Sequence, residues 1–308
     1  MRTAGQAADR AALIAEIARL KQATGALILA HNYQHEEIYT AADFIGDSLE
    51  LARKAADAHP DFIVFCGVRF MAETAKLLNP KARVRLAEPR AGCQMADMIT
   101  APALAERKAA LGNPPVVAYV NTPVEVKALA DVCCTSANAV KVVGSLPAGS
   151  RILFVPDENL ARYVARETGR EIVPWPGFCY VHAYFTIADV ARARAEHPNA
   201  LVVAHPECSL EVIDAADRVA STGGMYRLAK EHRELVLGTE IGMCSRIRRD
   251  FPETQCYPLR RTAMCRNMKL TRLEHVRRAL TEPTEGITIP DAVAAPARRA
   301  IERMLTVA

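Results

Sequence analysis

At 308 residues the chain exceeds one typical domain, and with half its residues hydrophobic and 24% charged it fits either one large core or two to three smaller units. No apolar run approaches the roughly 20 residues that span a bilayer, and the N-terminal stretch MRTAGQAADRAALIAEIARLKQ lacks the apolar block of a secretory signal, so a cytoplasmic protein with no membrane partner is expected. The net charge of +4 arises from interleaved Lys, Arg, Asp and Glu, which disfavours nucleic acid as a partner and suits small anionic ligands.

In chain order, Leu13, Ile17 and Leu20 recur at helical spacing and predict a helix over residues 8–22. ALILAHNYQ (26–34) reads as a strand ending in polar residues, Ser48 in GDSLELARKA as a helix N-cap, and FIVFCGV (62–68) as the next strand. After Cys93 and a helical stretch the pattern returns: VVAYVNTP (116–123), Ser136 in CTSANAVKVV, RILFVPD (151–157), EIVPW (171–175), then Cys179 in WPGFCYVH. A third round follows with LVVAHPEC (201–208), Ser221 in ASTGGMYRLAK, LVLGTE (235–240) and Cys265. LTRLEHVRRALTEP (270–283) resembles one more copy of the helix that precedes each round.

The three rounds align. His31, Tyr119 and His205 end equivalent strands, with Tyr33, Asn121 and Glu207 two residues later, and the cysteines recur at 86-residue intervals (93 to 179, 179 to 265). The expected fold is α/β: three similar αβα domains with small parallel sheets, at 1–92, 93–178 and 179–308, the last carrying a C-terminal helical cap. Packed around a pseudo-threefold axis with the carboxyl ends of their strands inward, they would bring these polar groups and the three cysteines into one cavity, where ligands of open α/β sheets bind.

Nine cysteines in a reducing compartment argue against a disulfide framework. A lone cysteine is most often a small buried hydrophobe, and Cys66, Cys133, Cys134 and Cys244 read that way; three at equal intervals in matching contexts do not. Three thiolates are one short of the four that usually hold a [4Fe-4S] cluster, leaving an iron open as a Lewis acid for loss of water. Zinc competes, although its structural sites close with four ligands and usually show C-x2-C pairs, and Cys256 is the alternative to Cys265. The serines, with Thr135 and Thr222 beside two of them, offer hydroxyls and helix N-termini to phosphate or carboxylate groups. His182 reads either as helix-start packing or as support for the metal ligands, whereas His59, His197, His232 and His275 are expected to face solvent. From the residues alone the reading is an iron-sulfur dehydratase of a small acidic or phosphorylated compound. An iron-sulfur sensor or a zinc-stabilised dicarboxylate-binding protein, both without turnover, are the alternatives.

AHNYQ, DFIGDSLELA, FCGVRFMAETAKLLNP, GCQMAD, AYVNTP, CTSANA, FVPDENLA, PGFCYVH, HPEC, STGGM, GTEIGM and CRNMK together resemble the quinolinate synthase family, iron-sulfur enzymes of de novo NAD biosynthesis, over essentially the full length. The resemblance implies condensation of iminoaspartate with dihydroxyacetone phosphate to quinolinate, with release of phosphate and two waters, and an L-aspartate-oxidising enzyme as supplier of iminoaspartate. It implies Cys93, Cys179 and Cys265 as ligands of a [4Fe-4S] cluster. It also implies substrate contacts from His31, Ser48, Tyr119, Asn121, Ser136, His205, Glu207, Ser221 and Thr222, and proton transfer by Tyr33 and Glu207 assisted by His205 and His182. Some members carry further cysteines at three-residue spacing beside the last ligand; Thr262 and Met268 stand there in this chain, so a redox-switching disulfide is not expected.

Overall fold

Parallel strands joined by helical crossovers are covered on both faces, which is why the strands here are short and almost continuously apolar. The computed structural model describes residues 4–283 and 285–307. Its strands are β1 (Leu27–His31), β2 (Phe44–Gly46), β3 (Phe62–Cys66), β4 (Arg83–Leu86), β5 (Val116–Tyr119), β6 (Val132–Cys134), β7 (Ile152–Val155), β8 (Ile172–Pro174), β9 (Leu201–Ala204), β10 (Arg218–Val219), β11 (Glu234–Gly238) and β12 (Gln255–Pro258). They form three all-parallel sheets ordered β2-β1-β3-β4, β6-β5-β7-β8 and β10-β9-β11-β12, the same order three times. The fold is the expected α/β, three small parallel sheets flanked by helices. Among the described residues no helix is long and apolar enough to cross a membrane.

The chain divides into two compact units. The first runs to Gly92 and adds Arg266–Ile289; it contains the β1–β4 sheet. One face of that sheet, with Ile28, Ala30, Phe62, Val64 and Cys66, buries against Ile17 of the helix Ala4–Thr24 and against Leu273, Val276 and Leu280 of the helix Leu273–Thr281. The apolar residues of Leu273–Thr281 fall on one face at helical spacing, so the segment that resembles an extra copy of the first helix lies beside it on the same sheet. The second unit, Cys93–Cys265 with the chain beyond Pro290, holds the other two sheets; its final helix, Asp291–Thr306, packs on β6 and on the turn Val124–Lys127.

The repetition extends to individual bonds. Twelve residues beyond His31, Tyr119 and His205 stand Asp43, Asp131 and Asp217. Their carboxylates accept from the N–H of Ile28, Val116 and Val202, three residues before the same strand ends, at 2.8, 2.7 and 2.8 Å. Each also meets a cation of the preceding helix: Lys21 at 2.7 Å, Lys108 at 3.4 Å and Arg194 at 2.8 Å. These aspartates fasten the start of each central strand to the loop that leads to its edge strand.

Two expectations are corrected. Sixteen residues beyond the strand ends stand Asp47, Thr135 and Ser221, of which Asp47 and Ser221 are helix N-caps and Thr135 closes a turn ahead of a helix whose N-cap position is Asn138, so only Ser221 of the three serines is an N-cap. Asp47 accepts from Leu49 and Glu50 N–H, Thr135 Oγ1 from Ala137 N–H at 3.2 Å and Ser221 Oγ from Gly224 N–H at 3.2 Å. Ser48 is the first helical residue of Ser48–Ala58, because the carboxylate before it reaches two N–H groups, and Ser136 lies in a turn ahead of the helix Ala139–Gly144. Of the four histidines expected to face solvent, His59 does, but His197, His232 and His275 are half-buried, with His197 stacked on Tyr257 at 3.7 Å and His275 lying 3.4 Å from Glu88.

Candidate active site and metal centre

Each repeat cysteine stands a few residues beyond the last strand of its sheet, on a loop fastened in the same way. The first residue after the third strand's turn donates its N–H to the carbonyl two residues before the cysteine: Arg69 to Ala91 at 2.9 Å, Glu158 to Gly177 at 2.8 Å and Ile241 to Ala263 at 2.9 Å. A short helical turn follows each cysteine, at Ala96–Met98, Tyr180–Ala183 and Met268–Leu270. Gly177 is required where it stands, since a Cβ there would lie 2.5 Å from the carbonyl oxygen of Pro156.

The loops are also fastened to one another. Trp175 Nε1–H donates to Met98 O at 3.0 Å and Tyr180 O–H to Met264 O at 3.3 Å, and Asn267 Nδ2 donates to Gly92 O at 2.9 Å. No cysteine is in a disulfide; Cys93, Cys179 and Cys265 are half-buried and the other six fully buried. Burial pushes the Cys93 thiol up to about 12, with the neighbouring charges of Cys265 and Glu207 adding to the shift and the Ala96 N–H opposing it. Cys179 is raised well above the usual thiol range by burial, by Glu207, and by Cys93 and Cys265. The three sulfurs are thus near enough for their charges to interact, in a setting where a cation would stabilise the thiolates. Cys256 pairs instead with Cys244 inside the core.

Beside the cysteines lies a buried acid-base group. Tyr119, the last residue of β5, donates its O–H to Glu207 Oε1 at 2.5 Å. Glu207 Oε2 lies 2.8 Å from His182 Nδ1, while the other ring nitrogen of His182 meets Thr239 Oγ1 at 2.9 Å. The rings of His182 and His205 stack at 4.4 Å. Burial alone would raise the Glu207 carboxyl, but the charges of His182 and His205, with contacts from His182 and Tyr119, hold it down at about 2. Glu207 is therefore a carboxylate, only 3% exposed. Cys179 Sγ, His182 Nδ1 and a Glu207 oxygen lie within 4.8 Å of one another, a donor set able to hold a metal ion.

Of the remaining sequence-derived residues, Asn121 follows Tyr119, with its buried Oδ1 making no hydrogen bond among the described residues. Ser136 is half-buried; Ser221 and Thr222 are buried at the start of the helix Thr222–Leu228. In the first unit, His31, Tyr33 and Ser48 hold the corresponding end of the β1–β4 sheet. The N–H of Tyr33 donates to His31 Nδ1 at 3.2 Å, as that of Glu207 does to His205 Nδ1 at 3.3 Å, so a neutral ring at either position carries its proton on Nε2. Thr239, Asp157 and Glu240 are site residues the sequence reading passed over. They lie inside VPD and GTE, at the ends of recognised strands, where such side chains ordinarily face water.

A family model described as Quinolinate synthetase A protein matches residues 15–306. The chain is 52% identical over 299 residues to a quinolinate synthase of Methanoregula boonei, covering 96% of this chain and 99% of that protein. It is 50% identical to one from Thermococcus kodakarensis, with coverage of 96% and 99%, and 49% identical to one from Desulforudis audaxviator, with coverage of 95% and 97%. Matches of this extent, on a chain whose three sheets repeat one order and whose second unit gathers the cysteines with Tyr119, His182, His205 and Glu207, place it in the quinolinate synthetase A family of enzymes.

Proposed function

We propose that the chain condenses iminoaspartate with dihydroxyacetone phosphate to quinolinate, releasing phosphate and two waters, with its repeat units 1–92, 93–178 and 179–308 each supplying residues to the reaction. The observation that carries this reading is the gathering of three half-buried cysteines and an ionised glutamate flanked by tyrosine and two histidines in one compact unit.

Cys93, Cys179 and Cys265 are the residues to hold a [4Fe-4S] cluster: alone among nine cysteines they keep some exposure, and their charges interact. When bound, such a cluster supplies an iron without a thiolate ligand, a Lewis acid for a hydroxyl or carboxylate oxygen. Tyr119 O–H donates to the Glu207 carboxylate at 2.5 Å, which places one group able to give a proton and one able to take it side by side for proton transfer with substrate. His182, held through its second nitrogen by Thr239, keeps Glu207 charged, and His205 directs an Nε2 proton toward a substrate oxygen. Asn121 Oδ1 awaits a substrate donor, and the hydroxyls of Ser136, Ser221 and Thr222 serve the carboxylates and phosphate. Matched by motif, His31 and Ser48 contact substrate and Tyr33 moves a proton. An enzyme that oxidises L-aspartate would supply the imine.

Protein purified without oxygen is expected to be brown, to carry about four irons and to form quinolinate from the two substrates. Colourless, iron-free protein after anaerobic reconstitution would overturn the reading. Stoichiometric zinc without iron would favour a dicarboxylate-binding protein using Cys179, His182 and Glu207.

A further inference from the structure

The geometry points to Asp157 and Glu240 as a matched pair of positioning residues that hold two of the three cysteines in place for the cluster, an inference that rests on the ligand set proposed above. Ala118 of β5 pairs with Val155, and Ala204 of β9 with Gly238; two residues beyond these partners stand Asp157 and Glu240. They occupy one position in two sheets, and neither exposes any surface.

Each carboxylate uses both oxygens. Asp157 Oδ1 accepts from Leu160 N–H at 2.7 Å and Oδ2 from Cys179 N–H at 3.2 Å. Glu240 Oε2 accepts from Gly242 N–H at 2.6 Å and Oε1 from Cys265 N–H at 3.2 Å. One rigid group thereby links the start of a helix, Glu158–Thr168 or Gly242–Asp250, to the backbone of a cysteine. A buried carboxylate is stabilised only when its oxygens are satisfied, and these two are satisfied by the arrangement that fixes the cysteine. At the equivalent position of the first sheet, two beyond Cys66, which pairs with Ala30, stands Val68, whose side chain accepts nothing. The pair therefore bears on Cys179 and Cys265 and leaves Cys93 to other contacts.

An amide in place of either carboxylate turns one acceptor oxygen into an NH2 donor facing an N–H. In anaerobically reconstituted protein, Asp157→Asn and Glu240→Gln are expected to release iron to a ferrous chelator roughly ten- to a hundredfold faster than the parent, the usual loss on removing such a support. The electron paramagnetic resonance spectrum of the reduced cluster should shift with it. Thermal unfolding of the cluster-free proteins separates this from a merely structural role, and the two sites are independent should one variant fail to fold. Parent-like release with an unchanged spectrum would overturn the inference, as would faster release matched by an equal loss of stability without the cluster. If the parent protein itself holds no iron, the ligand set fails and the inference with it; iron held equally by parent and variants removes the inference alone.

Discussion

The first and third sheets share a scaffold and part company at one edge. In both, an aspartate twelve residues beyond the strand end fastens the central strand, at Asp43 and Asp217, and a histidine accepts the N–H two residues on, at His31 and His205. Beyond the carboxyl ends of the strands, Tyr33 in one is Glu207 in the other and Val68 is Glu240. The bonds that build the sheet are repeated; the side chains at these two strand-end positions are not. A repeat can diverge at its strand ends because loops there carry little of the core, whereas the strand starts are held by buried packing on both faces.

The harshest way to break this comparison is at the cysteines proposed to hold the cluster. Cys179→Ala should abolish cluster binding and quinolinate formation, whereas Cys208→Ala, buried in the core of the same unit, should keep its iron and lose about 1 kcal/mol of stability; iron analysis separates the two, and full iron in Cys179→Ala would show the ligand set to be wrong. Next comes the residue by which the third sheet differs from the first. Glu207→Gln should keep its iron and lose roughly a hundred- to ten-thousandfold in turnover, and near-normal kcat would remove Glu207 from the proton-transfer role.

A smaller effect tests the straps. Ala91 and Ala263 carry a methyl where Gly177 cannot, so Gly177→Ala should destabilise by about 1–3 kcal/mol while Ala263→Gly stays under about 1 kcal/mol, as read by urea unfolding. Smallest is a pH effect in the third repeat. Burial would raise the Asp189 carboxyl, but Arg260, Arg192 and Thr186 bring it down to about 2. A depressed carboxyl stabilises the fold above its unfolded value, about 3.9, and that stability fades as pH falls toward 2. Asp189→Asn should thus differ most from the parent at neutral pH and least near pH 2 in urea titrations; a gap that does not narrow in acid would show that charge is not what Asp189 contributes.

All six central strands were legible in the sequence, because burial on both faces makes them runs such as FIVFC and ILFV. Edge strands β2, β6 and β10, at two or three residues, are too short to show any period, and RVRL of β4 reads as polar. The interval between cysteines is visible because the three stand at the same place in each repeat, 86 residues apart. The caps are harder to place because aspartate and serine serve equally there, and at Asp47–Ser48 it is the carboxylate that takes the N–H groups. Asp157 and Glu240 were invisible for a different reason: an acid at a strand end is ordinarily solvated, and only the fold shows both oxygens taken by N–H groups.

The helix Leu273–Thr281, which lies beside the N-terminal helix on the first sheet, sets an order of assembly. Domains commonly fold as they leave the ribosome, N-terminus first, yet the face formed by Ile28, Phe62 and Val64 stays partly bare until residues 273–281 have been made. By then all three cysteines have been translated. The first unit to be synthesised is among the last to be completed.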